Sequence, residues 1–155
     1  MSEEPDHARV QIAPPVIFAA YLLTALALHW AIPLPIPGLR IVRPIAALLI
    51  LAGLGLGAYC VALMTKARTS PDPHRPTTAL ITHGPYARTR NPIYMGFFMI
   101  YLGFSLFAGT AWGALLCPFV FATVNGAVVQ AEEAYLQGKF DSRYLEYKAR
   151  VRQWL

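Results

Sequence analysis

Tyr86, Arg88, Arg90, Asn91 and Tyr94 bring two guanidinium groups and two phenols to one short stretch. Asn91-Pro92 there reads as a helix start, an N-cap followed by proline at the first helical position. The free N–H groups of such a start, with arginine beside them, suit an anion or a polar ligand. Next to it, His83-Gly84-Pro85-Tyr86 is turn chemistry, and His83 carries a side chain able to move a proton near neutral pH. Further along, Glu132-Glu133 sets two carboxylates side by side, about 100° apart around a helix. One can pair with Arg90 or a tail arginine while the other reaches a ligand. A third cluster, Gly53-Leu54-Gly55-Leu56-Gly57, exposes backbone; its Gly53/Gly57 spacing also fits a helix-packing face. Interfacial anchoring accounts equally well for the arginines and tyrosines.

These clusters have to be positioned by apolar blocks. Val16 to Ile32 and Pro44 to Thr65 contain no Asp, Glu, Lys or Arg, and at about 1.5 Å per residue each crosses roughly 30 Å of hydrocarbon. Pro92 to Val129 is also free of ionised side chains but too long for one crossing, so it folds back, with Ala108 to Gly113 as the turn. The reading is an all-α polytopic membrane protein: about four transmembrane helices in two hairpins plus a C-terminal amphipathic helix. Residues 14–65 form the first hairpin, 66–91 a cytoplasmic loop, 92–131 the second hairpin and 132–155 a cytoplasmic tail, a single domain over 1–155. Glu3, Glu4 and Asp6 ahead of the first span, and Pro33, Pro35 and Pro37 behind it, argue against a cleaved leader.

The net charge of +5 comes from lysines and arginines of the 66–91 loop and the tail; the opposite side has only Arg40 and Arg43. This bias places the loop and both termini in the cytoplasm, in a bacterial inner membrane. Membrane lipids, not nucleic acid, are the partner it implies. Cys60 and Cys117 lie inside apolar blocks, and no histidine has ligand spacing, so no metal site is read.

Residues 1 to 13 are polar and predicted to be flexible, and the proline-rich stretch 69–76 to run extended along the membrane surface. The last span should continue past Gln130 into the cytoplasm and end at Gly138. Tyr144, Tyr147, Val151 and Trp154 then recur at helical spacing, a tail expected to lie on the bilayer surface.

The run from Leu80 to Gly96, with His83-Gly84-Pro85-Tyr86 and Arg90-Asn91-Pro92-Ile93-Tyr94, followed by Glu132-Glu133 and the tail Tyr144, Tyr147 and Trp154, resembles the isoprenylcysteine carboxyl methyltransferase and phospholipid methyltransferase families of membrane enzymes. The likeness covers roughly residues 43 to 155. It implies S-adenosylmethionine held in a cytoplasmic cup between the third and fourth helices, closed by the loop and the tail. The implied cofactor contacts are His83, Gly84, Pro85, Tyr86, Arg90, Asn91, Pro92, Tyr94, Glu132, Glu133, Tyr144 and Tyr147, with Gly55 and Gly57 from the glycine motif. Arg90, Glu133 and His83 are the catalytic candidates. Similar chains often carry Phe-Gly before the tail tyrosine where this one has Phe140-Asp141.

The implied function is methylation of a lipophilic acceptor: an isoprenylcysteine carboxylate, a phospholipid amine or a similar small apolar molecule. Methyl transfer needs little acid–base help when the acceptor is already anionic, so alignment and exclusion of water would supply most of the rate. An NADPH-dependent reductase of the sterol type and a non-catalytic scaffold are the alternatives. The acceptor and the oligomeric state stay open at this level.

Overall fold

The computed structural model describes residues 6–155; Glu3 and Glu4 lie outside the described residues. Helix α1 (Pro14–Ala31) opens with two prolines, where a missing N–H leaves no bond unmade. Helix α2 (Leu39–Lys66) follows Gly38 and begins before the expected start at Pro44, so Arg40 and Arg43 stand on its first turns. Pro44 falls in the second turn, where its missing N–H leaves the Arg40 carbonyl without its helical donor. Helix α3 (Pro92–Ala108) ends at Gly109, whose φ of +78° closes the turn where the chain was expected to fold back. Then α4 (Trp112–Val124), a π-helical turn (Asn125–Val129) and α5 (Gln130–Phe140) form one unbroken run, and α6 (Ser142–Arg150) completes the chain.

Among the described residues there is no β-sheet, and the chain is an all-α integral membrane protein. Three stretches, α1, α2 and Trp112–Phe140, are long and apolar enough to cross a bilayer. The fourth expected crossing, α3, is apolar but has 17 residues, which at about 1.5 Å each still covers most of the hydrocarbon. Leu23, Trp30, Ile41, Leu48, Leu51 and Phe119 point outward from the bundle, the inverse of a soluble surface and suited to lipid.

Inside, the helices approach closely because small residues meet. A Cβ on Gly53 would sit 2.7 Å from the Gly96 carbonyl oxygen, and one on Gly103 would sit 3.0 Å from that of Ala46. Gly53 is therefore a packing residue that lets α2 and α3 touch backbone to backbone. On the other flank, Phe18 of α1 stacks on Phe97 at 5.3 Å between ring centroids and meets Phe98 edge-on at 4.9 Å. Val120, Val124, Val128 and Val129 fill the space behind them.

The two hairpin turns join at one end of the bundle, where Ile36 N–H donates to the Gly109 carbonyl and Ala111 N–H to that of Leu34, at 2.9 and 3.0 Å. At the other end lie the 67–91 segment, α6 and residues 6–13. The last were expected to be flexible, but Ala8 and Val10 are buried in the main apolar cluster. Short apolar side chains among polar ones are enough to seat a segment once a groove exists to receive them.

Candidate functional site

A cavity of about 580 Å³ lies at that end of the bundle, walled by residues 8–15, the end of α2, the loop 70–81, residues 86–97, and α5 with α6. Of the expected site residues, Tyr86, Arg90, Asn91, Pro92, Tyr94, Glu132, Glu133, Tyr144 and Tyr147 line it.

The two adjacent carboxylates have separate surroundings. Glu133 faces Arg90, which donates from Nε at 2.9 Å and from Nη2 at 2.7 Å to Glu133 Oε1. Lys148 Nζ stands 3.7 Å from the other oxygen. The remaining guanidinium nitrogen, Nη1, donates to the Val151 carbonyl at 2.8 Å. Arg90 is thus committed to one carboxylate and to the end of the tail. Glu132, one residue earlier and turned about 100°, accepts a 2.7 Å hydrogen bond from Tyr94 OH and lines the cavity, with no cationic side chain among the described residues bonded to it.

Asn91 was expected to cap α3, but its side chain makes no cap. Its Nδ2 donates instead to the Gln153 carbonyl at 3.0 Å, beside Thr89 Oγ1, which donates to the same oxygen at 2.9 Å. Arg90 N–H donates to the Arg152 carbonyl, and Tyr147 OH to that of Tyr86 at 2.7 Å. The stretch 86–91 therefore docks the chain's end. This corrects the expected surface-lying tail: Tyr144 and Tyr147 are buried against protein, and Trp154 packs on Phe121 at 5.1 Å and donates from Nε1 to Asn125 Oδ1. Four hydrogen bonds to backbone carbonyls hold the tail in register, and a lipid surface offers no such pattern.

Gly138 does not end α5, which runs to Phe140. The break falls at Asp141, with φ of +43°, a conformation that glycine adopts more easily than any side-chain-bearing residue. The position matches the Phe-Gly expected of similar chains. The π turn before α5 adds a residue to the helical repeat and thereby sets which way Glu132 and Glu133 face.

Other expected contacts lie outside the cavity lining. His83 is exposed, and Gly84 and Pro85 begin a 3-10 turn that carries Tyr86 into the wall. Gly84 has φ of +64°, and a Cβ there would come within 3.0 Å of Leu63, so glycine is required. Gly55 and Gly57 do not line the cavity, and a Cβ on either would meet nothing within 4 Å. In this motif the close approach is made by Gly53.

Burial pushes the Tyr86 and Tyr144 phenols well above their ordinary range and Tyr147 up to about 12. All three are neutral at physiological pH and offer ring faces and O–H donors, not bases. Beyond the polar edge, Val61 and Met64 of α2, Leu80, Ile81, Ile93 and Phe97 make an apolar wall. Val61 is 41% exposed, so that wall reaches the lipid-facing surface.

Sequence reasoning missed the loop residues Ser70 to His74, together with Tyr135 and Ala8. Their only signal was a histidine and an aspartate among prolines, a pattern that turns share with binding loops.

The profile of the phospholipid methyltransferase family matches residues 42–143. A protein-S-isoprenylcysteine O-methyltransferase of Schizosaccharomyces pombe is 36% identical over 72 residues, 46% of this chain and 30% of that protein. An uncharacterized protein of Haemophilus influenzae is 32% identical over 63 residues, 41% of this chain and 100% of its own length. No solved structure matches. The chain thus spans about a third of the yeast relative.

Proposed function

Because the chain belongs to the phospholipid methyltransferase family, we propose that its cavity binds S-adenosylmethionine and that the protein methylates a lipophilic acceptor drawn from the bilayer. The observation that carries this reading is Glu132: a carboxylate lining a cavity of about 580 Å³, held by Tyr94 and by no cationic side chain of the described residues, among aromatic rings. Such a wall fits a ligand with a cationic centre and a flat aromatic base. When bound, the cofactor supplies a methyl group on a sulfonium centre.

The chain's own residues hold, orient and exclude water. Glu132 takes the cationic side of the ligand, and Tyr94 fixes that carboxylate by donating to one of its oxygens. Arg90 and Glu133 position: their ion pair fastens α5 and the tail to the start of α3, which keeps Tyr144 and Tyr147 in the wall. His83, expected as a catalytic group, would need the 3-10 turn to move before it touched a ligand in the cavity. The apolar wall from Val61 to Phe97 suits the acceptor's hydrocarbon, and the family and the yeast relative make a phospholipid or an isoprenylated cysteine the acceptors to try first.

A dinucleotide cofactor fits less well. Its phosphates need cations, and Arg90, the arginine among the lining residues, is already neutralised. The excess of lysine and arginine in the 66–91 loop and the tail puts the cavity and both termini on the cytoplasmic side, for a bacterial chain at the inner membrane.

The deciding experiment is equilibrium binding of S-adenosylhomocysteine to the purified protein. Wild type binds, and Glu132→Gln lowers the affinity about 10- to 100-fold, the equivalent of one hydrogen bond to a charged group, with thermal stability retained. Equal affinity in wild type and Glu132→Gln removes the support for this site.

A further inference from the structure

Resting on that reading, we propose that residues 6–13 are the gate of the cavity, and that ligand enters and leaves when this strap parts from the 70–77 loop, without separation of the helices. The strap lies outside the family-matched region 42–143.

Three features carry the proposal. Ala8, Ala13 and the prolines at the start of α1 form one wall of the cavity, and Ser70, Pro71, Asp72, Pro73 and His74 form the neighbouring one. Both are irregular chain, and where they meet His74 Nε2 lies 3.0 Å from the Val10 carbonyl oxygen. The His74 ring is braced from behind by Asp72, whose Oδ1 lies 3.1 Å from Nδ1 and accepts the His74 backbone N–H at 3.0 Å. A second tie holds the other end of the strap. Asp6 pairs with Lys139, and Tyr135 OH lies 3.0 Å from the Asp6 carboxylate while accepting the Thr77 N–H. Tyr135 thereby links strap, loop and α5 through one hydroxyl.

Apart from residues 79–81, the other walls of the cavity are helix or are bonded to the tail through backbone carbonyls. Opening those would unmake buried hydrogen bonds and apolar packing. Parting the strap from the loop breaks the partly buried His74–Val10 contact and withdraws two small side chains, Ala8 and Val10, while the helices keep their packing on one another. Segments with few buried contacts and exposed hydrogen bonds are the ones that open first, and closing segments of this kind commonly set ligand exchange rates.

The test uses the full chain in detergent or nanodiscs, with association and dissociation of labelled S-adenosylhomocysteine followed separately. Asp6→Ala and Lys139→Ala, both outside the cavity lining, raise the two rate constants together by about twofold, the size of an exposed ion pair. The dissociation constant stays within about twofold, as for a gate that biases neither bound nor free state. Asp6→Ala with Lys139→Ala is no faster than Asp6→Ala alone, because losing the Asp6 carboxylate removes both its Lys139 and its Tyr135 contacts; adding His74→Ala speeds exchange further. Unchanged rates overturn the gate. So does a rise in dissociation alone, which would make the strap a binding wall. A wild-type protein that binds no S-adenosylhomocysteine overturns the cofactor reading itself, an outcome distinct from either.

Discussion

Two segments from opposite ends of the chain cover the same cavity, and they are fastened differently. The tail is held by Arg90, Thr89, Asn91 and Tyr147, which donate hydrogen bonds to backbone carbonyls, around an ion pair whose partners are 9% and 14% exposed. The strap is held by Asp6, 62% exposed, on Lys139, and by a histidine that is itself solvent-facing. Identical bond types differ in worth because water competes for one set and not for the other. Shielded contacts make the tail part of the fold. The strap's ion pair is an open one, and its seat is the burial of Ala8 and Val10.

That contrast can be broken first at Arg90. Arg90→Ala leaves Glu133 in a poorly solvated place with only the distant Lys148 and strips the Val151 carbonyl of its donor, so we expect a loss of about 3–5 kcal/mol. Thermal unfolding with limited proteolysis of the tail measures it; a stable, protease-resistant Arg90→Ala protein would put the tail in the same class as the strap. Trp154→Ala follows. Removing a partly buried indole from Phe98 and Phe121 should cost about 2 kcal/mol, below the range for a fully buried one.

Asp141→Gly sharpens the comparison in the other direction. Relieving a positive φ without adding contacts should stabilise the α5–α6 corner by about 1 kcal/mol, read as a higher unfolding temperature with unchanged cofactor affinity. Smallest of all, Asp6→Ala should leave the unfolding temperature unchanged, since a fully exposed pair is screened by water and salt. A clear drop would mean that the strap is structural after all.

Much of this frame was legible from residue types. The apolar blocks located the spans, because transfer into hydrocarbon depends on local composition, and Gly109 closed the hairpin where expected. The resemblance carried by Gly84 to Tyr94 and the glutamate pair pointed to the right end of the bundle. The division between the glutamates was half legible: adjacency on a helix implies divergent directions, and an Arg90 partner was foreseen for one of them. Which one was hidden, because the π turn at Asn125–Val129 rotates both and no local residue pattern announces it. The tail misled for a similar reason. An amphipathic face reads the same whether it meets lipid or protein, and the carbonyls that settle it carry no side-chain signature.

From its residues alone, then, this chain determines that it crosses a membrane several times and gathers carboxylates, guanidinium groups and phenols near one face, since hydropathy and motif spacing act over short stretches. Tertiary structure alone decided that Arg90 is spent on Glu133 and Val151, that Glu132 lines the cavity, and that residues 6–13 close its side. Those outcomes depend on contacts between atoms 43 to 133 positions apart, where no local pattern records which partner arrives first.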